Sequence, residues 1–461
     1  MTQQQKATKL FGSFTAALLL STTVAHASGF ALNEQSAASV GMALAGTGVE
    51  NDASVQFSNP AGISALQGFN ALGGGNIYFT DATFHNHGSV GPAGTPLTGN
   101  ATTDPTIAAP DGYIAYTMDN GVSLGLGLYS PYGLATYYPD TSSVRYFAQS
   151  TDLRTIEINP NIAYKLDKEL SIGAGPEIRW SRGEFSQAVD YGAGVFAATA
   201  PRVAPFGPTA LAALAAATGP GGANDLRIHA VGDDWSVGYK LGTLWTPDDK
   251  TKVAVAYHSA MESTLSGTGS VDTSGLSSAV DRAAFAASGV STTAPVTAKI
   301  DYPQNIILSG SRKLDDKWTL DGDFEWTQWS RFKDLGLQFG GSMAAFNSST
   351  AVNWDDGYRF AVGAEYQLAP AWKLRGGVAY DTNPIDTDST RTPRIPDGDR
   401  TWLSVGAGYS ITQNLTVDVG FAYLFFNDEG IVNSSTSQGQ IVGDYQGSSA
   451  QILSADIAYH F

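Results

Sequence analysis

The chain has 461 residues, 15% of them charged, with 52 glycines and no cysteine. Soluble domains carry about a quarter charged residues and roughly 7% glycine, so this composition is charge-poor and glycine-rich. It excludes a disulfide or thiolate–metal scaffold, a helical membrane protein, since no run of about 20 apolar residues follows the N-terminus, and, with 26 Lys+Arg against 43 Asp+Glu, a nucleic-acid binder.

Residues 1–27 read as a signal peptide. Lys6 and Lys9 form a basic n-region, Phe14 to Val24 a short apolar core, and Ala25-His26-Ala27 the small residues of a cleavage site. An exported chain without cysteine has nothing to mispair in an oxidising compartment.

Residues 28–68 lack strand alternation. Small residues dominate Ser28 to Gly46, and Asn59-Pro60-Ala61-Gly62 follows. Apolar content with few charges favours short helices packed inside something over a floppy tail. The segment reads as a plug.

From Phe69 to Phe461 the chain repeats alternating residues, a tight polar turn, more alternation and a long polar stretch. The short turns fall at Met118–Gly121, Leu166–Glu169, Pro247–Lys250, Leu314–Lys317, Leu368–Ala371 and Ile411–Asn414. Leu-Asp-Lys-Glu, Pro-Asp-Asp-Lys and Leu-Asp-Asp-Lys are near-copies of one hairpin turn. With a first strand near 69–80 and a last near 449–461, the count is fourteen. Long connections near 81–108, 131–151, 183–230, 261–295, 331–351, 383–397 and 428–448 alternate with the short turns. That asymmetry predicts an all-β transmembrane barrel of antiparallel strands, with short periplasmic turns and long extracellular loops.

The alternation has matching chemistry. Leu415, Val417, Val419, Phe421, Tyr423 and Phe425 share one face and Thr416, Asp418, Gly420 and Ala422 the other, so one face can meet outer-membrane lipid and the other a polar lumen. Trp180, Trp245, Trp318, Trp372 and Tyr459 suit interfacial girdles. The last strand ends on Phe461, which resembles the C-terminal aromatic signal read by the barrel-assembly machinery. A barrel of this size has a lumen too wide for its own side chains to fill, which gives the N-terminal segment a place.

Binding residues are sought where apolar chain meets the lumen or the loops. Thr209–Thr218 is almost all Ala and Leu, after Val203, Pro205 and Phe206, and Ser274–Ala287 carries Leu276, Val280, Ala284 and Phe285 at helical spacing. Such loop helices form an apolar capture patch, or pack on each other and close the barrel top. The candidates are Phe30, Phe206, Leu211, Leu214 and Phe285 for an apolar ligand, with Arg145, Arg179 and Arg182 as cations for a carboxylate. Gly125, Gly127, Pro131 and Gly133 weaken the third strand. Gly121-Val122-Ser123-Leu124-Gly125 matches a hydrolase nucleophile elbow, but that motif requires a strand–turn–helix context, and this serine opens a strand. No phosphate-binding loop is present and no cofactor is expected.

Gly29-Phe30-Ala31-Leu32-Asn33-Glu34-Gln35-Ser36 with Asn59-Pro60-Ala61 resembles the N-terminal hatch of the FadL family of outer-membrane long-chain fatty acid transporters. Further matches are Tyr132-Gly133-Leu134-Ala135-Thr136, Trp329-Ser330-Arg331-Phe332, and Ile395-Pro396-Asp397 through Asp399-Arg400 to Trp402-Leu403-Ser404. They span nearly the whole mature chain in the same order. The resemblance implies a 14-stranded barrel with a helical hatch, loop capture of a hydrophobic small molecule, binding inside the barrel, and lateral release at a kink in strand three. It places Asn59-Pro60-Ala61 beside that opening. By the same resemblance Gln187 and Asp355 stand where basic residues lie near the ligand head group, a departure that leaves room for uncharged alkanes or monoaromatics. A water-filled porin and a lipolytic enzyme are the remaining alternatives.

Overall fold

The computed structural model describes residues 29–222 and 224–461. The expected signal peptide, 1–27, lies outside the described residues. Fourteen strands form one closed antiparallel barrel. In chain order they are β1 (Gly68–Asn86), β2 (Thr106–Thr117), β3 (Val122–Tyr129, resumed at Gly133–Tyr137), β4 (Ser150–Lys165) and β5 (Leu170–Asp190). Next come β6 (Asp225–Asp248), β7 (Thr251–His258, resumed at Met261–Asp272), β8 (Thr293–Tyr302, resumed at Asn305–Lys313), and β9 (Trp318–Thr327, with an outer piece at Asp334–Phe339). The last five are β10 (Gly357–Ala369), β11 (Trp372–Asp381), β12 (Arg400–Ser410), β13 (Leu415–Phe426) and β14 (Ser449–His460). Each pairs with the next, and β14 closes on β1 through a ladder from Asn70↔His460 to Asp81↔Ser449.

Alternation sorts the two faces. Val237, Leu241, Val362, Val405 and Ile457 are exposed on the outside, while Asp418, Ser454 and Asp456 are buried inside. Trp245, Trp318 and Trp372 ring the short-turn end, where Trp318 lies 4.7 Å from the Tyr366 ring and Trp372 4.6 Å from that of Tyr409. Three of the short turns share one device. The Asp167 carboxylate accepts from Glu169 and Leu170 N–H (2.7 and 2.8 Å), Asp315 from Lys317 and Trp318 N–H (2.7 and 2.9 Å), and Asp248 from Lys250 N–H (2.8 Å).

The strands run farther into the expected loops than the sequence indicates. β5 has 21 residues and β6 has 24, where about 9–11 tilted residues cross a bilayer. Their outer ends carry Glu184, His229, Asp233 and Asp234, so a polar stretch that reads as loop is a hydrogen-bonded wall standing above the lipid belt. The β5–β6 connection therefore begins at 191, not 183. It holds α1 (Tyr191–Val203) and α2 (Pro208–Thr218), and α3 (Ala279–Ser288) lies between β7 and β8.

Residues 29–67 fill the lumen. Short helices at Ala37–Val40 and Val55–Ser58 and tighter 3-10 segments at Thr47–Val49 and Pro60–Ala65 are almost wholly buried. Contact is close because glycines meet there: Gly41 packs against Gly406, and a Cβ on Gly377 would collide with the backbone of Met42. Barrel carboxylates supply the polar anchors. Asp456 accepts from Ala37 N–H, and Asp323 from Gly46 and Thr47 N–H at 3.1 and 3.2 Å.

Candidate functional site

The wall opens beside β3. The β2–β3 ladder runs from Thr117↔Ser123 to Gly112↔Leu128 and stops. β2 continues along β1 to Thr106↔Phe79, so residues 106–111 have no strand partner on the β3 side among the described residues. β3 turns inward instead. Tyr129 pairs with Glu157 and Gly133 with Arg154, which sets Ser130, Pro131 and Tyr132 opposite only Thr155 and Ile156. The N-terminal segment takes up the freed backbone groups: Leu32 N–H donates to Pro131 O and Gly133 N–H to Phe30 O, both at 2.9 Å. Ala31 and Tyr132 form an antiparallel bridge, and Gln35 Nε2 donates to Ser130 O at 3.1 Å. Pro131, which has no N–H, fits a strand leaving its ladder.

Two expectations about this opening need correcting. Gly125 and Gly127 keep their partners Ala115 and Tyr113, so they do not make the break. They provide space, Gly125 for the Gln56 amide and Gly127 for the Tyr113 and Tyr129 rings. Asn59-Pro60-Ala61 does not border the gap either. Asn59 Nδ2 donates to Gly48 O (3.0 Å) and Thr243 O (3.1 Å), and the segment presses on Gly173 of β5 and Gly242 of β6, near the short turns. Phe30–Gln35 is the segment that faces the opening.

Three more strands break on the far side of the lumen. β7 is interrupted at Ser259–Ala260, β8 at Pro303–Gln304 and β9 after Thr327, where the turn Trp329–Arg331 carries Trp329 inward. The breaks gather aromatic rings around Phe30: Trp329 at 4.7 Å, Phe332 at 5.3 Å, Tyr132 and Trp354 at 5.9 Å, and Tyr302 at 6.2 Å between centroids. Beneath this cluster lies a small cavity of about 20 Å³, room for about one water molecule. Its walls are the broken strands and the N-terminal segment, with Asn33, Phe57, Pro131, Tyr132, Arg179 and Pro303 among them.

The cavity's charges are already matched. Arg179 donates from Nε and Nη2 to Glu157 Oε2 (3.0 and 2.6 Å), with the rings of Tyr132 and Tyr302 over its guanidinium at 4.5 and 4.7 Å. Tyr129 OH donates to Glu157 Oε1 at 2.7 Å. Lys240 Nζ donates to Phe57 O at 2.7 Å and lies 3.8 Å from Glu177. Across the lumen Arg359 pairs with Glu325 at 2.7 Å, and Asn33 Nδ2 donates to the same carboxylate at 3.2 Å.

Of the residues sought from sequence, Phe30 sits at the centre of the aromatic cluster and Arg179 in the cavity wall. Arg145 is remote from both, paired with Asp225 at 3.0 Å and donating to Tyr146 OH at 2.9 Å. Arg182 is a correction. It is exposed, between the inward-facing Ser181 and Gly183, because strand alternation sends even-numbered side chains of this stretch outward. Phe206 is 80% exposed at the turn between α1 and α2, Leu211 and Leu214 are half-buried on α2, and Phe285 of α3 packs on Tyr191 of α1 at 5.7 Å. The loop helices therefore both contact each other and leave apolar surface outside. Ser123 is buried in β3 and hydrogen-bonds Thr117 (2.9 Å), with no following helix, so the elbow motif has no elbow. Sequence reading did not place Tyr302, Trp329, Trp354 or Glu157 among the binding residues, although Trp329 stood in one of the family matches. Glu157 left a signal too, as an acid on the inward face of an alternating strand.

A family model described as outer membrane protein transport protein (OMPP1/FadL/TodX) matches residues 18–461. The chain is 29% identical to the long-chain fatty acid transport protein of Escherichia coli K12, over 88% of its own length and 90% of the relative's. Among solved structures, a Pseudomonas aeruginosa FadL homologue superposes with a TM-score of 0.81 at 25% identity, covering 94% of this chain and 99% of that one. The Pseudomonas putida toluene transporter TodX does so with 0.65 at 16% identity, covering 92% and 98%. Family members are transporters or channels rather than enzymes. Sequence and barrel agree over nearly the full length, and this chain belongs to the FadL/TodX family of bacterial outer-membrane transport proteins.

Proposed function

We propose that the protein takes up long-chain fatty acids across the outer membrane by capture, binding and lateral release. Cargo meets the apolar faces of α1–α3, displaces the Phe30 cluster to widen the small cavity beneath it, and leaves between β2 and β3 into the lipid. In this reading residues 1–27 direct export, residues 28–68 act as the hatch, residues 69–461 are the barrel, and the strand ending in Phe461 is read by the barrel-assembly machinery. The observation that supports it most is the β2–β3 ladder ending at Gly112↔Leu128 beside the cavity, with Phe30–Leu32 bonded to the freed backbone. A second reading, uptake of uncharged hydrocarbons, is favoured by the pairing of Arg145 and Arg179 with carboxylates.

Deleting Pro131 tests the path. It leaves two residues opposite Thr155 and Ile156, restoring a continuous β3 register. The expected result is an assembled barrel that no longer takes up oleate or toluene in cells lacking their own transporter. Undiminished uptake of the cargo that the unaltered chain carries would sink lateral release.

A further inference from the structure

Among the described residues, seven Arg or Lys residues are buried as a whole, and six of them have a carboxylate close by. Arg145, Arg179, Lys240 and Arg359 are described above, Arg391 lies 2.8 Å from Glu429, and Arg400 lies 3.4 Å from Asp397. Arg394 is the exception. It is 6% exposed, in the connection between β11 and β12, and has no carboxylate within 4.0 Å among the described residues. Its partners are neutral: Nη1 donates to Ser150 O and Thr151 Oγ1, both at 3.2 Å, and Nη2 to Gln187 Oε1 at 2.7 Å. The Phe185 ring lies 6.0 Å away. A guanidinium has five N–H donors, so three are used and two remain, Nε–H among them. A buried cation without a counter-charge is costly, and burial alone pulls the Arg394 pKa down, to about 10. At neutral pH it still carries its charge.

The cation borders the buried apolar cluster that holds Phe30, to which Leu134, Leu153 and Phe185 also belong. Thr151, Leu153, Thr155 and Glu157 are the inward positions of β4 along it. The six steps from Thr151 to Glu157 span about 20 Å at ~3.3 Å each, a length suited to a long acyl tail rather than to a short acid.

We propose that Arg394 receives the carboxylate of a long-chain fatty acid whose tail runs along β4 toward Phe30, making this residue the determinant that separates acids from hydrocarbons. The assignment rests on the proposed uptake function. Gln187, which stands where the resemblance leads one to expect a basic residue, then positions the cation instead of supplying it.

The test is equilibrium binding of oleate and of 1-octadecene to purified protein in detergent, for the unaltered chain, Arg394→Lys and Arg394→Met. The expected result is oleate binding weakened about tenfold or more by Arg394→Met, largely restored in Arg394→Lys, with 1-octadecene binding unchanged within about twofold. Equal weakening of both ligands by Arg394→Met would make Arg394 a structural pin and overturn the proposal. Unchanged oleate binding would overturn it too. If the unaltered chain binds 1-octadecene but not oleate, the carboxylate site falls while hydrophobic uptake stands; if it binds neither, the uptake reading itself fails.

Discussion

At the scale of single residues, the lumen is organised by compensation. Arg179 and Glu157 are both buried, and each satisfies a charge that would otherwise sit in a low-dielectric interior. Removing one partner is therefore worse than removing both. Glu157→Gln or Arg179→Gln is expected to cost about 3–5 kcal/mol, and the double variant less than either single one. Urea unfolding of vesicle-inserted protein, followed by tryptophan fluorescence, measures this. Equal costs for all three variants would mean that the two charges do not depend on each other. These pairs were half legible. Alternation tells which acids and bases face inward, but whether a given Arg meets a carboxylate depends on register between strands that are distant in sequence.

At the scale of elements, the short turns were legible and the strand ends were not. The Asp-led turns work because a side-chain oxygen takes the place of a backbone acceptor, a local effect that needs no tertiary context. Backbone hydrogen bonds lower the pKa of Asp167 and Asp315, and lower that of Asp248 to about 2. The sign follows: a depressed folded-state pKa gives stability that is present above the ordinary value of 3.8 and lost as pH falls through the folded value. Replacing all three with Asn keeps the acceptor oxygen and removes the charge. Between pH 5 and about 2, the unaltered protein is expected to lose stability more steeply than this variant in parallel urea titrations. Identical slopes would show that the turn carboxylates carry no pH-linked stability. The outer ends of β5 and β6 escaped the sequence because polar residues on both faces of a strand look like loop. What makes them strand is 21 consecutive ladder partners from Leu170↔Trp245 to Asp190↔Asp225.

At the scale of the whole molecule, the barrel and its contents are one object. Residues 29–67 contact strands around much of the circumference, through Asp456 of β14, Asp323 of β9, Gly242 of β6 and Gly406 of β12. A 14-stranded wall without them would enclose open space. Deleting residues 29–67 is expected to leave an outer-membrane barrel with large, persistent conductance in planar bilayers, where the intact chain shows little. Equal conductance with and without the segment would mean that water passes around it, and the porin reading would then replace the hatch.

The sequence by itself determined the barrel. Alternation, turn chemistry and the inequality of long and short connections are local or periodic properties, and the bilayer imposes their consequence: every backbone group must be paired within the wall. It also determined that a small-residue segment precedes the wall. Only the tertiary structure decided where the wall is left unpaired, that the opening belongs to Ser130–Tyr132 and not to the glycines before it, and that Phe30–Gln35 faces it. It alone separated the compensated arginines from Arg394. The physical reason is the same in each case. A gap, a bridge and an unmatched charge are relations between residues far apart in the chain, and no local pattern encodes what stands opposite.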